Sequence, residues 1–266
     1  MDGIGIAGSN RAGPRMLARL HDAGIAACGF CLHRSNHCLH ANGLDDFKLG
    51  LRVLFLIPHD IAEAEALLFE TAALVKVAGS LETIVIASTL SPRYVRALRG
   101  RIPSSISLVD APFSGTVHAA EKGDLSFFLG GRRDEIERLQ PIFSVLGNQG
   151  VRMGGFGAAM AAKVMNDFLA ATSTAMTRIA LDWAEAQGID ESRLLEMTKS
   201  SLGSGHLIQG SDMVSFGTRD HADEEAVNDL MRNVETALDT ALAGAHLTPP
   251  RAVEQLVRSI KSRALH

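Results

Sequence analysis

Aromatic residues make up only 5% of this 266-residue chain, with one tryptophan and one tyrosine among them. So few rings exclude a base-stacking platform for single-stranded nucleic acid. The formal net charge of −4 gives no general attraction to nucleic acid or to an anionic membrane. No apolar run approaches the roughly 18–20 residues that a membrane-crossing helix needs. Met1 to Ala7 passes straight into a strand-like pattern without a basic leader or a small-residue cleavage site. The expectation is a cytoplasmic protein with neither nucleic acid nor membrane as partner. Cysteine is equally scarce. The three residues are Cys28, Cys31 and Cys38, interleaved with His33, His37 and His40. A C-x-x-C beside histidines raises a zinc reading. Cys28 and Cys31 fall on an apolar strand, however, where residues three apart point to opposite faces. A second, well-spaced ligand pair is also missing, so no metal is expected.

What the chain does contain is ordinary for a soluble globular protein: 46% hydrophobic and 21% charged residues. At this length it can bury roughly 70–75% of its unfolded surface. Short apolar runs occur at Ile4–Ala7, Cys28–Leu32, Val53–Ile57, Ile84–Ala87, Ser107–Val109 and Ser126–Leu129. Amphipathic helical patterns lie between several of them, at Arg15–Asp22, Ile61–Ala78 and Arg93–Arg99. Near-continuous apolar strands alternating with helices are the signature of a parallel sheet covered on both faces. Right-handed crossovers then give an α/β, doubly wound Rossmann domain. After Gly155 an alanine-rich helical pattern runs from Ala158 to about Gln187, with Gly188 as its stop. Further helical patterns occupy Glu191–Ser200, His221–Ala243 and Arg251–Arg263. The expected organisation is a dinucleotide-binding domain over residues 1–156 and an all-α domain over 157–266, joined by the long helix.

The first strand leads into Gly8-Ser9-Asn10-Arg11-Ala12-Gly13-Pro14 and then a helix. In a G-x-G-x-x-G loop the first glycine makes the turn and the second admits the pyrophosphate. The third allows close helix–strand packing, and the helix N-terminus offers its amides to the phosphates. Gly8 and Gly13 hold the first and third places, and Asn10 the second. The candidate cofactor contacts are Gly8, Asn10, Arg11, Ala12 and Gly13. The second strand ends in His33-Arg34-Ser35-Asn36, without the acid that accepts a ribose hydroxyl in NAD-binding domains. Arg34, assisted by Ser35, suits a 2′-phosphate instead, which favours NADP(H) over NAD(H).

Three segments in order along most of the chain resemble the β-hydroxyacid dehydrogenases. This is the family of 3-hydroxyisobutyrate dehydrogenase and tartronate semialdehyde reductase, related to 6-phosphogluconate dehydrogenase. Asp110-Ala111-Pro112-Phe113-Ser114-Gly115-Thr116, continuing to Gly123-Asp124-Leu125 and Gly130-Gly131, is similar to the family's substrate segment. Gly157 followed by Lys163-Val164-Met165-Asn166-Asp167 is similar to its G-x-G-x-x-x-K-x-x-N-N segment. Pro58, and Ser88-Thr89-Leu90-Ser91-Pro92, resemble its loops after the third and fourth strands, which adds Pro58, Ser88 and Thr89 to the cofactor contacts. The resemblance implies hydride transfer between the nicotinamide cofactor and a small carboxylate-bearing substrate, in a homodimer. It makes Lys163 the general acid or base, with Asn166 positioning the same substrate end. Ser114, Gly115 and Thr116 hold the carboxylate, orienting the reacting carbon. Lys163 and Asn166 are three apart on one helix and so are side-chain neighbours.

The sequence departs from the family at Asn10, at Thr116 in place of glycine and at Asp167 in place of the second asparagine. It departs again at Asn233, within Met231-Arg232-Asn233-Val234-Glu235, where the family carries a lysine. His118, beside the substrate segment, reads as a solvent-facing loop residue. Two alternatives stand beside the dehydrogenase. One is an imine or other carbonyl reductase on the same scaffold, against which the retained Lys163 argues. The other is a cofactor-binding protein without turnover, favoured by Asn10 and Asn233. Fluorescence titration is expected to show NADPH binding more tightly than NADH, and binding of neither would remove the dehydrogenase reading.

Overall fold

In the computed structural model, residues 3–32, 43–77 and 80–201 are described. The first half alternates strand and helix as β1 (Ile4–Ala7), α1 (Ala12–Asp22), β2 (Ala27–Phe30), α2 (Leu44–Lys48), β3 (Val53–Leu56), α3 (Ile61–Leu68), α4 (Leu74–Val77), β4 (Thr83–Ile86), α5 (Pro92–Leu98) and β5 (Ser107–Asp110). There follow β6 (Phe113–Ser114), α6 (Val117–Lys122), β7 (Leu125–Gly130), α7 (Arg133–Leu146), β8 (Gly147–Gly154), α8 (Ala158–Ala186) and α9 (Glu191–Ser201). Contacts divide the chain into two units, Met1–Lys163 and Val164–His266.

The sheet of the first unit runs β2-β1-β3-β4-β5-β7-β6, with β8 on the other side of β7. From β2 to β5 every pairing is parallel. Strand order reverses between β1 and β3, so the switch point lies beyond their carboxyl ends. At β5 the run of parallel pairings ends. β7 runs antiparallel to β5 and β6 and parallel to β8. The fold is a doubly wound α/β domain with an antiparallel turn at one flank.

Alternate residues of the central strands feed separate cores. Ile4, Ile6, Val53, Phe55, Val85 and Val109 join α1 and α7 on one face. Leu54, Leu56, Ile84, Ile86 and Leu108 join α2, α3 and α5 on the other. This is why the strands read as unbroken apolar runs: both faces are dry. Cys28 packs on one face and Cys31 on the other, as their spacing requires. Helix α1 carries Ala12, Met16 and Leu20 four residues apart, so one stripe is buried. Each fully buried side chain of the Met or Leu kind contributes about 1.5–3 kcal/mol.

Two elements differ from the sequence reading. Ile61–Ala78 is two short helices rather than one, because the chain turns after Phe69 and Ala73 takes a left-handed φ of 46°. β8 has no apolar signature, since Gly147, Gly150 and Gly154 interrupt it and its central residues are exposed. The long helix starts at Ala158 as expected and ends at Ala186, where Ile189 N–H donates to Ala184 O at 2.9 Å beside Gly188. That closing bond is the Schellman pattern. In the second unit the described elements are the remainder of α8 and α9, joined by the turn at 187–190. The helical patterns at His221–Ala243 and Arg251–Arg263 lie outside the described residues, as do Arg34, Ser35, Cys38 and Asn233.

Phe143 of α7 packs its ring 5.1 Å from Phe127 and 6.1 Å from Phe55, tying the helix to the sheet. Phe143→Ala is expected to lower the unfolding free energy by about 3–5 kcal/mol. A urea titration checks this, and a loss under about 1 kcal/mol would deny the residue its core role.

Candidate active site

At the carboxyl end of β1 the chain turns at Gly8, with φ 131°. A Cβ there would overlap Ile57 O and lie 2.7 Å from Pro58 N, so the loop after β1 rests directly on the loop after β3. Asn10 N–H donates to Ile57 O at 3.2 Å and reinforces the contact. Asn10 then folds back on its own loop. Its Oδ1 accepts from Ala12 N at 2.9 Å, and its carbonyl accepts from Gly13 N at 3.0 Å. This local Asx bond explains why asparagine serves at the second glycine's place. Arg11 is exposed at the N-cap of α1 and makes no side-chain cap bond, and the helix has no acid in its first turn. Gly13 is buried, as the third position of such a loop requires.

Opposite this loop, Ser9 Oγ donates to Glu63 Oε2 at 2.7 Å, and His59 N–H donates to the same oxygen at 2.6 Å. Glu63 thus ties the loop after β1 to the start of α3, whose N-cap is Asp60. It was missed in the sequence, although Asp60-Ile61-Ala62-Glu63 carries the spacing of a capping box. After β4, Thr89 is half-buried, whereas Ser88 is only 4% exposed and its Oγ has no hydrogen-bond partner among the described residues. A buried hydroxyl at a strand end with no partner among the described residues is open to a hydrogen bond with a ligand.

Together these features test the site against a dinucleotide. The close approach at Gly8, the buried Gly13, the unacidic N-terminus of α1 and the orphaned Ser88 all suit one. One donor is already engaged: Ala12 N–H is held by Asn10.

Of the second group of predicted residues, Ser114, Gly115 and Thr116 follow β5, and Lys163 and Asn166 lie on α8. Ser114 ends β6 and is half-buried, while Gly115 and Thr116 are exposed. Thr116 has a specific local task, since its Oγ1 accepts from Ala119 N at 3.2 Å and caps α6. That bond accounts for threonine in the place of glycine and leaves the hydroxyl proton free to point outward. Lys163 is only 6% exposed and donates from Nζ to Ser114 Oγ at 3.4 Å. The structure therefore brings the buried Lys163 to Ser114, in the segment to which the resemblance assigns a substrate carboxylate. Asn166 is exposed on α8, while Asp167 is buried. His118 is exposed and pairs with Glu121 Oε2 at 3.3 Å. Asp110, quoted in the sequence only as the first residue of its segment, has no exposed surface. Burial pushes its carboxyl above the ordinary range, opposed by the N–H groups of Met160 and Gly157 that it accepts.

Residues 3–155 match the family described as the NAD binding domain of 6-phosphogluconate dehydrogenase. The chain belongs to this family. It is 32% identical over 154 residues to human mitochondrial 3-hydroxyisobutyrate dehydrogenase, an alignment covering 57% of this chain and 45% of the relative. It is 29% identical over 164 residues to the 2-hydroxy-3-oxopropionate reductase of Escherichia coli K12, covering 59% and 54%. The chain thus spans about half the length of these curated relatives. Among solved structures, a Mycobacterium tuberculosis 3-hydroxyisobutyrate dehydrogenase with L-serine superposes with a TM-score of 0.77. That likeness has 19% identity, covers 98% of this chain and 93% of the other, and concerns the fold. The matched family is an NAD-binding domain, so the cofactor of the first unit is a nicotinamide dinucleotide. Among the described residues no helix is long and apolar enough to cross a membrane, and no cluster of His, Cys, Asp and Glu is arranged to hold a metal ion.

Asn10→Gly frees the Ala12 N–H for a phosphate oxygen. One added hydrogen bond, about 1 kcal/mol, is expected to lower the Kd for NADPH about five-fold. Fluorescence titration checks it; an unchanged or weaker affinity would show that the Asn10 bond does not compete with the cofactor.

Proposed function

We propose that the chain is an NADP(H)-dependent oxidoreductase that interconverts a small β-hydroxyacid and its semialdehyde or keto form. The observation that carries this reading is the approach of Lys163 Nζ to within 3.4 Å of Ser114 Oγ. A buried amine beside a hydroxyl- and amide-bearing turn matches a substrate with a carbonyl or hydroxyl a few bonds from a carboxylate. The names of the curated relatives point the same way. The preference for the phosphorylated dinucleotide rests on Arg34 and Ser35, and on the lack of an acid in that segment.

In this reading Gly8, Asn10, Arg11, Ala12 and Gly13 hold the pyrophosphate, with Pro58, Ser88 and Thr89 along the other strand ends. When bound, the nicotinamide supplies or accepts the hydride. Ser114 Oγ, Gly115 N–H and the outward proton of Thr116 grip the carboxylate. Lys163 donates a proton to the carbonyl oxygen as that oxygen gains charge, and takes the proton back in the oxidative direction. Its cationic head opposes the developing alkoxide, and its burial keeps competing water away. Asn166 orients the same end of the substrate, and the helical unit supplies the homodimer contact.

Lys163→Ala is expected to leave the Kd for NADPH unchanged while turnover of a β-hydroxyacid falls by about 100-fold or more. Steady-state assays over a panel of β-hydroxyacids, semialdehydes and cyclic imines check it. Comparable turnover in the variant would refute the assignment. Parent-level reduction of imines without oxidation of any β-hydroxyacid would move the chain to the imine reductases.

A further inference from the structure

The carboxylate of Asp110 lies at the last residue of β5, fully buried. Its Oδ1 accepts from Gly157 N at 2.7 Å and its Oδ2 from Met160 N at 2.6 Å. The amide of Ala159 also donates to it. These are the opening amides of α8, which have no acceptor within their own helix. Both oxygens accept from separate donors, so the group serves as a carboxylate and complements the positive end of the helix. A neutral serine or threonine N-cap would do this job on an ordinary helix. Here the acceptor comes from a different strand, 47 residues away in sequence for Gly157.

Placement explains why. Asp110 and Ser114 belong to one short stretch, from the end of β5 through β6. Met160 and Lys163 belong to the first turns of α8, three residues or about 4.5 Å apart along the axis. The two stretches meet twice, once where Asp110 holds the helix start and once where Lys163 reaches Ser114. The surroundings make room for the first meeting. A Cβ on Gly130 would overlap Asp110 Oδ1 and lie 2.9 Å from Ala159 N. Leu90 N–H, from the loop after β4, donates to Met160 Sδ at 3.3 Å and braces the same turn.

We propose that Asp110 is a positioning residue: its carboxylate fixes the first turn of α8 so that the Lys163 amine stays in register with Ser114. Asp110 touches neither substrate nor cofactor and acts through the helix. The proposal rests on the reading of Lys163 as the proton donor. A displacement of about 1 Å at such a group costs about 100-fold in rate.

The test uses the full chain with Asp110→Asn, Asp110→Glu, Gly130→Ala and Lys163→Ala. Asparagine keeps one acceptor and turns an NH2 toward the other donor. Asp110→Asn is therefore expected to lower kcat by about 10–100-fold at unchanged Kd for NADPH. Gly130→Ala, which keeps the Asp110 carboxylate but displaces it, should give the same split. Asp110→Glu keeps two acceptors and should recover part of kcat; it also carries the test if the asparagine variant does not fold. A second readout needs no turnover: acetic anhydride labelling of Lys163, read by mass spectrometry, should be about five-fold faster in Asp110→Asn than in the parent. Unchanged kcat with unchanged labelling overturns the proposal. So does a fall in kcat matched by an equal loss of NADPH affinity, which marks general destabilisation. Full turnover in Lys163→Ala removes the proton-donor reading instead. The labelling rate then decides on its own whether Asp110 holds the lysine, and parity with the parent overturns that too.

Discussion

A charge taken fully out of water must be met by fixed dipoles, and the Asp110 carboxylate is met by the opening amides of α8. The arrangement is reciprocal. The helix start needs acceptors for amides that its own backbone cannot satisfy, and the buried carboxylate needs donors. Neither partner is comfortable without the other, so the junction between sheet and long helix is decided at one residue. Around it converge the ends of β5 and β7, the loop after β4 through Leu90 and the segment leading to Ser114. The placement of Lys163 inherits its definition from that junction.

The cofactor half of the first unit is organised by contact between backbones rather than by charge. Gly8 lies against Ile57, and Asn10 closes its own turn, so the loop after β1 has a definite form before any ligand arrives. Glu63 holds Ser9 from the start of α3 and stabilises that form from outside. Preformed loops of this kind lower the ordering cost of binding. In this loop part of the preformation comes from a donor that phosphate would otherwise use.

Much of this was legible in the sequence because the relevant physics is local. Strands dry on both faces must be apolar throughout, and β1, β3, β4 and β5 were visible for that reason. The long helix announced both its start and its glycine stop. β8 was not visible, since a glycine-rich exposed strand is held by its neighbour β7 and by nothing in its own pattern. The break within Ile61–Ala78 turned on one left-handed alanine, which periodicity does not register. In the site, the residue types of the substrate segment and Lys163 were readable, and their meeting at Ser114 fits the order of motifs. The tasks of Glu63 and Asp110 were not readable, because each depends on a partner more than forty residues away. Thr116 and Asn10, read as departures from a pattern, are explained by bonds each makes within three residues.

Gly130 has a consequence at the level of the gene. A glycine codon changes meaning only by acquiring a side chain, and the smallest of these already intrudes on the Asp110 carboxylate and the backbone of Ala159. No amino-acid replacement at position 130 is therefore silent toward the start of α8. Nor does any partner change at Asp110 restore both the space and the two acceptors. A single replacement at either position therefore disturbs the other: a side chain at 130 displaces the carboxylate, and the carboxylate leaves no room for one.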